Sequence, residues 1–264
     1  IKCAWKVTTV SPSYMEELKI KANGLEDLLN HESSKCIGIL NGIDWRVWNP
    51  KTDDKLIKNY DKSTVISGKS SNKKWLCKEY NLDVKKPLFV FIGRLVGEKG
   101  ADLFPEIFKE ALAENNISIL LLGSGYEKIE EALTSISQEN FNKFIGYDEK
   151  LAHIMYAGAD FLLMPSRVEP CGLNQMYSLR YGTVPIVNAI GGLKDTIIDI
   201  TKENGFGVVH HGVTIEKVTS AITKASIYFN QKEFKKNLKK MMQIDHSWGN
   251  SAQAYVNLYK SLKN

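Results

Sequence analysis

The chain has 264 residues, 43% apolar and 25% charged, with a formal net charge of +5. That is a globular composition with enough length for a sizeable core. The positive charge is scattered, which argues against a dedicated nucleic-acid binder. No apolar run approaches the ~20 residues of a membrane span, so no membrane partner is expected.

The chain opens IKCAWKVTTV, without Met and already strand-like, which predicts a piece of a longer protein. VTTV (7–10) reads as a short strand. Ser11 then caps a helix with Pro12 at its first position and Glu16 and Glu17 in its first turn. KCIGILNGID is an apolar run ending in an Asn-Gly turn. Residues 49 to about 74 are polar and read as linker and loop, followed by a short helix, KWLCKEYNL.

From Lys86 the pattern becomes regular. PLFVFIG, ISILLLG, FNKFIG, FLLMPS, VPIVNA and GFGVV read as six strands. Helices are predicted at about 100–115, 126–138, along LAHIMYAGA, at about 173–181 and through GGLKDTI. Two more follow, TIEKVTSAITKASIYF and QKEFKKNLKKMM. The lysines of KEFKKNLKK read as a solvated helix face. The strands are continuous apolar runs separated by helices. This predicts an α/β fold, a doubly wound, Rossmann-like parallel sheet covered on both faces.

Four cysteines, Cys3, Cys36, Cys77 and Cys171, lie far apart without a CxxC, which predicts free thiols in a reducing compartment. His210 and His211 are adjacent and cannot both face one ion from a regular element, so no metal site is expected.

In such a sheet ligands bind outside the carboxyl ends of the strands. The residues after each strand are GRLVGEKG, GSG, GYDEK, PSRVEPCGLNQ and GGLKD. Arg94 and Lys99 could clamp a diphosphate, or be two surface cations of a loop. GSG reads as a close backbone turn. Tyr147 could stack on a base or be a half-buried rim tyrosine. Gly172 opens a helix whose first N–H groups favour an anion. Glu169 beside it can accept hydrogen bonds from sugar hydroxyls. With Arg94 and Lys99 on the same rim, a nucleotide sugar is the reading that uses all of these residues. Asp195 reads as an N-cap or first-turn acid of its own helix.

The run PSRVEPCGLNQMYSLRYGTVPIVNAIGGLKDTI resembles the signature of the bacterial glycogen synthases and plant starch synthases, retaining glucosyltransferases of the GT-B fold. KVTTVSPSYMEE, GILNGIDWRVWNP, IGRLVGEKGADL, IGYDEKLAHIMYAGAD and SWGNSAQAYVNLY resemble family segments in the family order. The resemblance implies that Arg94 and Lys99 hold the donor diphosphate and stabilise the leaving nucleotide, and that Glu169 contacts the donor glucose. It implies that Cys171, Gly172, Leu173 and Asn174 cradle the sugar and distal phosphate, and that Tyr147 stacks on adenine. The implied donor is ADP-glucose and the implied acceptor an α-1,4-glucan. No metal or cofactor is implied, and the setting would be cytoplasmic, or a plastid in a plant.

The family's Lys-x-Gly-Gly-Leu motif and its donor-touching histidine are absent from this sequence. The chain is therefore expected to hold residues 1–50 as the remnant of an N-terminal acceptor domain and residues 51–264 as the C-terminal nucleotide-sugar-binding domain. The missing domain would be a partner in catalysis, and the fragment alone is expected to be inactive. Related GT-B enzymes place a second glutamate where this chain has Tyr177, which fits the starch synthase branch. Alternatives are a transferase using UDP- or GDP-sugar and a non-catalytic nucleotide- or glucan-binding module. An NAD oxidoreductase ranks third, because the glycine fingerprint is absent. Trp45 and Trp48 are candidates for glucan stacking, with a packed core role preferred for each.

Overall fold

The computed structural model describes residues 1–262. The chain starts with β1 (Val7–Thr9), α1 (Pro12–Leu18), α2 (Glu26–His31) and β2 (Cys36–Gly38); β1 and β2 form a parallel two-stranded sheet of their own. After α3 (Val65–Glu79) the strands are β3 (Leu88–Leu95), β4 (Ser118–Gly125), β5 (Phe141–Ile145), β6 (Phe161–Met164), β7 (Val184–Asn188) and β8 (Val208–His210). The helices between them are α4 (Phe104–Glu114), α5 (Glu127–Thr134), α6 (Glu149–Gly158), α7 (Asn174–Arg180) and α8 (Gly191–Thr196). Then come α9 (Ile215–Phe229), α10 (Lys232–Met241) and α11 (Trp248–Ser261).

The other six strands form one parallel sheet, in the order β5-β4-β3-β6-β7-β8. Leu88, Phe89 and Val90 are all fully buried. Successive side chains of a strand point to opposite faces, so helices must cover the sheet on both sides. The expected doubly wound α/β architecture is what the chain adopts. Strand order reverses between β3 and β6, and the crevice above that junction is where such sheets bind ligands.

Residues 49–74 are not all loop. α3 begins at Val65 and takes in SGKSSNKK, whose Gly68, Lys69, Asn72 and Lys73 are buried. These polar residues satisfy buried backbone rather than meeting water. Asn72 donates to the carbonyls of Lys58 and Gly68. Lys69 Nζ lies 2.7 Å from Thr183 Oγ1 and 3.2 Å from the Ala157 carbonyl.

Lys69 is 5% exposed. Burial pushes its ammonium down to about 7, against a smaller upward pull from Asp160. The folded state therefore binds fewer protons than the unfolded state from about pH 7 up to the ordinary lysine range. Stability should rise with pH across that window, by up to about 1.4 kcal/mol per unit. Urea unfolding between pH 7 and 8.5 checks this. The slope should vanish in Lys69→Met, and an equal slope in the variant would assign it elsewhere.

α10 exposes Lys232, Lys235, Lys236 and Lys239 while burying Phe234, Leu238 and Met241, the solvated face expected. The end of the chain returns to its beginning. Ile43 N–H donates to the His246 carbonyl at 2.8 Å, and Ser251 Oγ donates to the Leu40 carbonyl at 2.6 Å. Among the described residues no helix is long and apolar enough to cross a membrane.

Candidate active site at the carboxyl rim of the sheet

The loops after β3 and β6 flank the point where strand order reverses, and two charged groups meet between them. Lys99 Nζ lies 2.5 Å from Glu169 Oε2, across 70 positions of sequence. Glu169 is 7% exposed, and Ser166 Oγ donates to the same oxygen at 2.9 Å. A carboxylate held by an ammonium and a hydroxyl is oriented, and its second oxygen has lone pairs left for a ligand's hydroxyl.

The two loops are fastened together by residues the sequence did not single out. Arg167 donates to both oxygens of Asp102, at 2.5 and 3.0 Å, and to the Gly97 carbonyl at 2.6 Å. The hydrogen-bonded partnership raises the Arg167 guanidinium and holds the Asp102 carboxyl below its usual range. Arg167 N–H also donates to the Glu98 carbonyl at 2.7 Å. Gly100 sits at φ +74°, and a Cβ there would meet the Pro165 carbonyl oxygen at 2.6 Å, so the approach requires glycine. Asn188, at the end of β7, donates to the Ser166 carbonyl and accepts from Gly212 N–H, both at 2.8 Å. No pattern in the sequence marks Arg167 or Asn188, because each acts across the rim.

Arg94 stands exposed as the second-last residue of β3, opposite Ser124 of β4. Tyr147 follows β5, the outermost strand, two strands from β3 and so roughly 10 Å along the rim. It is 84% exposed, which makes it an open ring rather than a half-buried one. Arg94, Lys99, Glu169 and Tyr147 thus all lie on one rim, and only Lys99 and Glu169 are in direct contact.

The segment after Glu169 presents backbone more than side chain. Cys171 is buried with Ile43 and Met176, and Leu173 packs on the same small cluster. Burial pushes the Cys171 thiol up, so it is a poor thiolate. Gly172 has φ +72°, and α7 starts two residues later. Asn174 donates its side-chain amide to the Ile92 carbonyl at 2.7 Å, tying α7 to β3. Asp195 departs from expectation. It is the fifth residue of the six-residue α8, and no acid stands in that helix's first turn. Its carboxylate accepts instead from Ser13 N–H and Ser13 Oγ of α1, at 2.8 and 2.6 Å.

Trp45 and Trp48 pack inward. Arg180 lies over the Trp45 ring at 4.3 Å. Trp48 is sandwiched between His153, at 4.1 Å, and Tyr177, at 3.7 Å, both near-parallel. Beneath it Asp53 accepts from Tyr181 at 2.5 Å and is 2.6 Å from His153 Nδ1. Burial works to raise the Asp53 carboxyl, but these two hydrogen bonds, with the Lys55 amide and the nearby His153, together hold the group below its ordinary value. Tyr177, on α7, is therefore one member of an aromatic stack.

Comparison with known proteins gives the family and the fold. The family model described as Glycosyl transferases group 1 matches residues 72–241. A glycogen synthase of Flavobacterium johnsoniae is 49% identical over 98% of this chain and 56% of its own length. A glycogen synthase of Marinobacter nauticus is 44% identical over 97% of the chain and 54% of its own length. The chain thus spans about half the length of the curated relatives it matches. Among solved structures, the catalytic domain of starch synthase IV from Arabidopsis thaliana, bound to ADP and acarbose, superposes with a TM-score of 0.91. It is 35% identical and covers 98% of this chain and 56% of that one.

Proposed function

The chain belongs to the group 1 glycosyl transferases, and on that footing we propose that it is the donor-binding half of an ADP-glucose-dependent glucan synthase. The full-length protein would transfer glucose, with retention, to the non-reducing end of an α-1,4-glucan. The observation that carries this reading is the Lys99–Glu169 contact of 2.5 Å at the point where strand order reverses. In this reading the ammonium serves the diphosphate and the oriented carboxylate beside it serves the sugar. Support for ADP-glucose comes from the relatives' names and from the ADP bound to the starch synthase neighbour.

In this reading Lys99 and the exposed Arg94 meet the two phosphates. Their charge is matched to the negative charge that grows on the leaving nucleotide as the glycosidic bond breaks. Glu169 accepts hydrogen bonds from the glucose hydroxyls and fixes the sugar's orientation. Tyr147 lies against the base. Residues 1–50 are the end of an acceptor-side unit, and their separate β1–β2 sheet is in keeping with that. The other unit would close over the donor and exclude water, so this chain alone would not turn over. A cytoplasmic setting belongs to the same reading.

The test is glucosyl transfer from ADP-glucose to a short α-1,4-glucan, measured for the full-length protein and for this chain. The expected result is α-linked product from the former and none above background from the latter. Elongation from UDP-glucose in preference to ADP-glucose would overturn the donor assignment. Arg94→Ala should weaken ADP binding by this chain about tenfold or more, the loss of a charged hydrogen bond. An unchanged affinity in calorimetry would place Arg94 outside the site.

A further inference from the structure

All four carbonyls of the Glu-Pro-Cys-Gly segment are held by other parts of the chain. The Glu169 carbonyl accepts from Gly192 N–H at 3.1 Å, and the Pro170 carbonyl from Ser11 Oγ at 2.5 Å. The Cys171 and Gly172 carbonyls both accept from Gln175 Nε2 at 3.0 Å. Two of these four anchors lead to α1, directly through Ser11 or by way of α8.

The two helices cap each other. Glu17 of α1 accepts from Gly191 N–H, the first residue of α8, at 2.6 Å. Asp195 of α8 accepts from Ser13 N–H and Oγ in the first turn of α1. Each helix thereby satisfies free N–H groups of the other. The fit is close: a Cβ on Gly191 would meet the Glu169 carbonyl oxygen at 2.1 Å, and one on Gly192 the Cys171 carbonyl oxygen at 2.0 Å. Moving the start of α8 therefore moves the backbone of Glu169. Ser11 is fully buried, so its hydroxyl has no water to turn to.

We propose that Glu17, Ser11 and Asp195 are positioning residues that hold the Glu169–Gly172 segment in register with Lys99. α1 is the mould against which the sugar-contacting carboxylate is set. This rests on the reading of Glu169 as the group that meets the donor sugar. It goes beyond that reading by giving residues near the start of the chain control over the sugar and not the nucleotide.

The test compares Glu17→Ala with Glu17→Gln in this chain. Glutamine keeps an oxygen able to accept from Gly191 N–H; alanine does not. In Glu17→Ala, hydrogen exchange at the Gly191 and Gly192 amides should speed up about tenfold, with the amides of Val90 and Leu120 in β3 and β4 unchanged. Glu17→Gln should restore near-native exchange. The preference for ADP-glucose over ADP, read as the ratio of their dissociation constants, should fall several-fold in Glu17→Ala, while ADP affinity itself holds. Unchanged exchange at Gly191 and Gly192, or an equal rise in the sheet, would overturn the positioning role whether or not any nucleotide binds. Nucleotide binding lost in the unaltered chain, with the exchange result as expected, would instead count against the donor reading alone.

Discussion

Lys99→Ala is expected to lower glucosyl transfer by the full-length protein about 10²–10³-fold, the scale seen when one preorganised charge-stabilising donor is removed. Lys99 serves the site twice in this account. Its ammonium, 2.5 Å from Glu169 Oε2, holds the carboxylate in place, and under the proposed function it would also meet the charge that gathers on the departing diphosphate. Without it Glu169 keeps only the Ser166 hydroxyl, in a setting too buried for water to replace the lost partner. Lys99→Arg should recover part of the rate, since a planar guanidinium keeps the charge but not the shape of a compact ammonium. Steady-state kinetics with ADP-glucose decides. A rate within a few-fold of native in Lys99→Ala would make the pair a structural brace.

The largest effect on stability is expected at the other end of β3. Asp160→Ala should cost about 3–5 kcal/mol, the penalty for removing one member of a buried ion pair. Asp160 Oδ2 takes Lys73 Nζ at 2.7 Å and the Leu88 N–H at 2.8 Å. Its loss leaves a buried ammonium without its counter-charge, held only by the Lys86 carbonyl at 2.7 Å, and orphans the first amide of β3. The double variant Asp160→Ala with Lys73→Met should regain part of the deficit, because the groups then left without a partner, the Leu88 N–H and the Lys86 carbonyl, are neutral. Urea unfolding measures both. Additive losses in the double variant would show that the two residues act independently.

The parallel sheet was readable because its strands are unbroken apolar runs, and Leu88 to Val90 bury on both faces as such runs must. The rim was readable because the carboxyl ends of strands are known from the strands themselves. α3 was misread at its start, since Lys69, Asn72 and Lys73 look solvated by composition yet serve buried carbonyls and Asp160. The Lys99–Glu169 contact could only be placed on a shared rim, because its distance depends on the Arg167–Asp102 clasp. Asp195 was misassigned for the same kind of reason. Its partner, Ser13, lies 182 positions away, and no local pattern announces a cap offered across the fold.

The measurement closest to the central claim is a calorimetric titration of this chain with ADP-glucose, ADP, UDP and GDP, repeated on Lys99→Ala. The account predicts that ADP binds in preference to UDP and GDP, that ADP-glucose binds more tightly than ADP, and that Lys99→Ala weakens both adenine ligands. Tighter binding of UDP or GDP, or ADP affinity indifferent to Lys99, would contradict it.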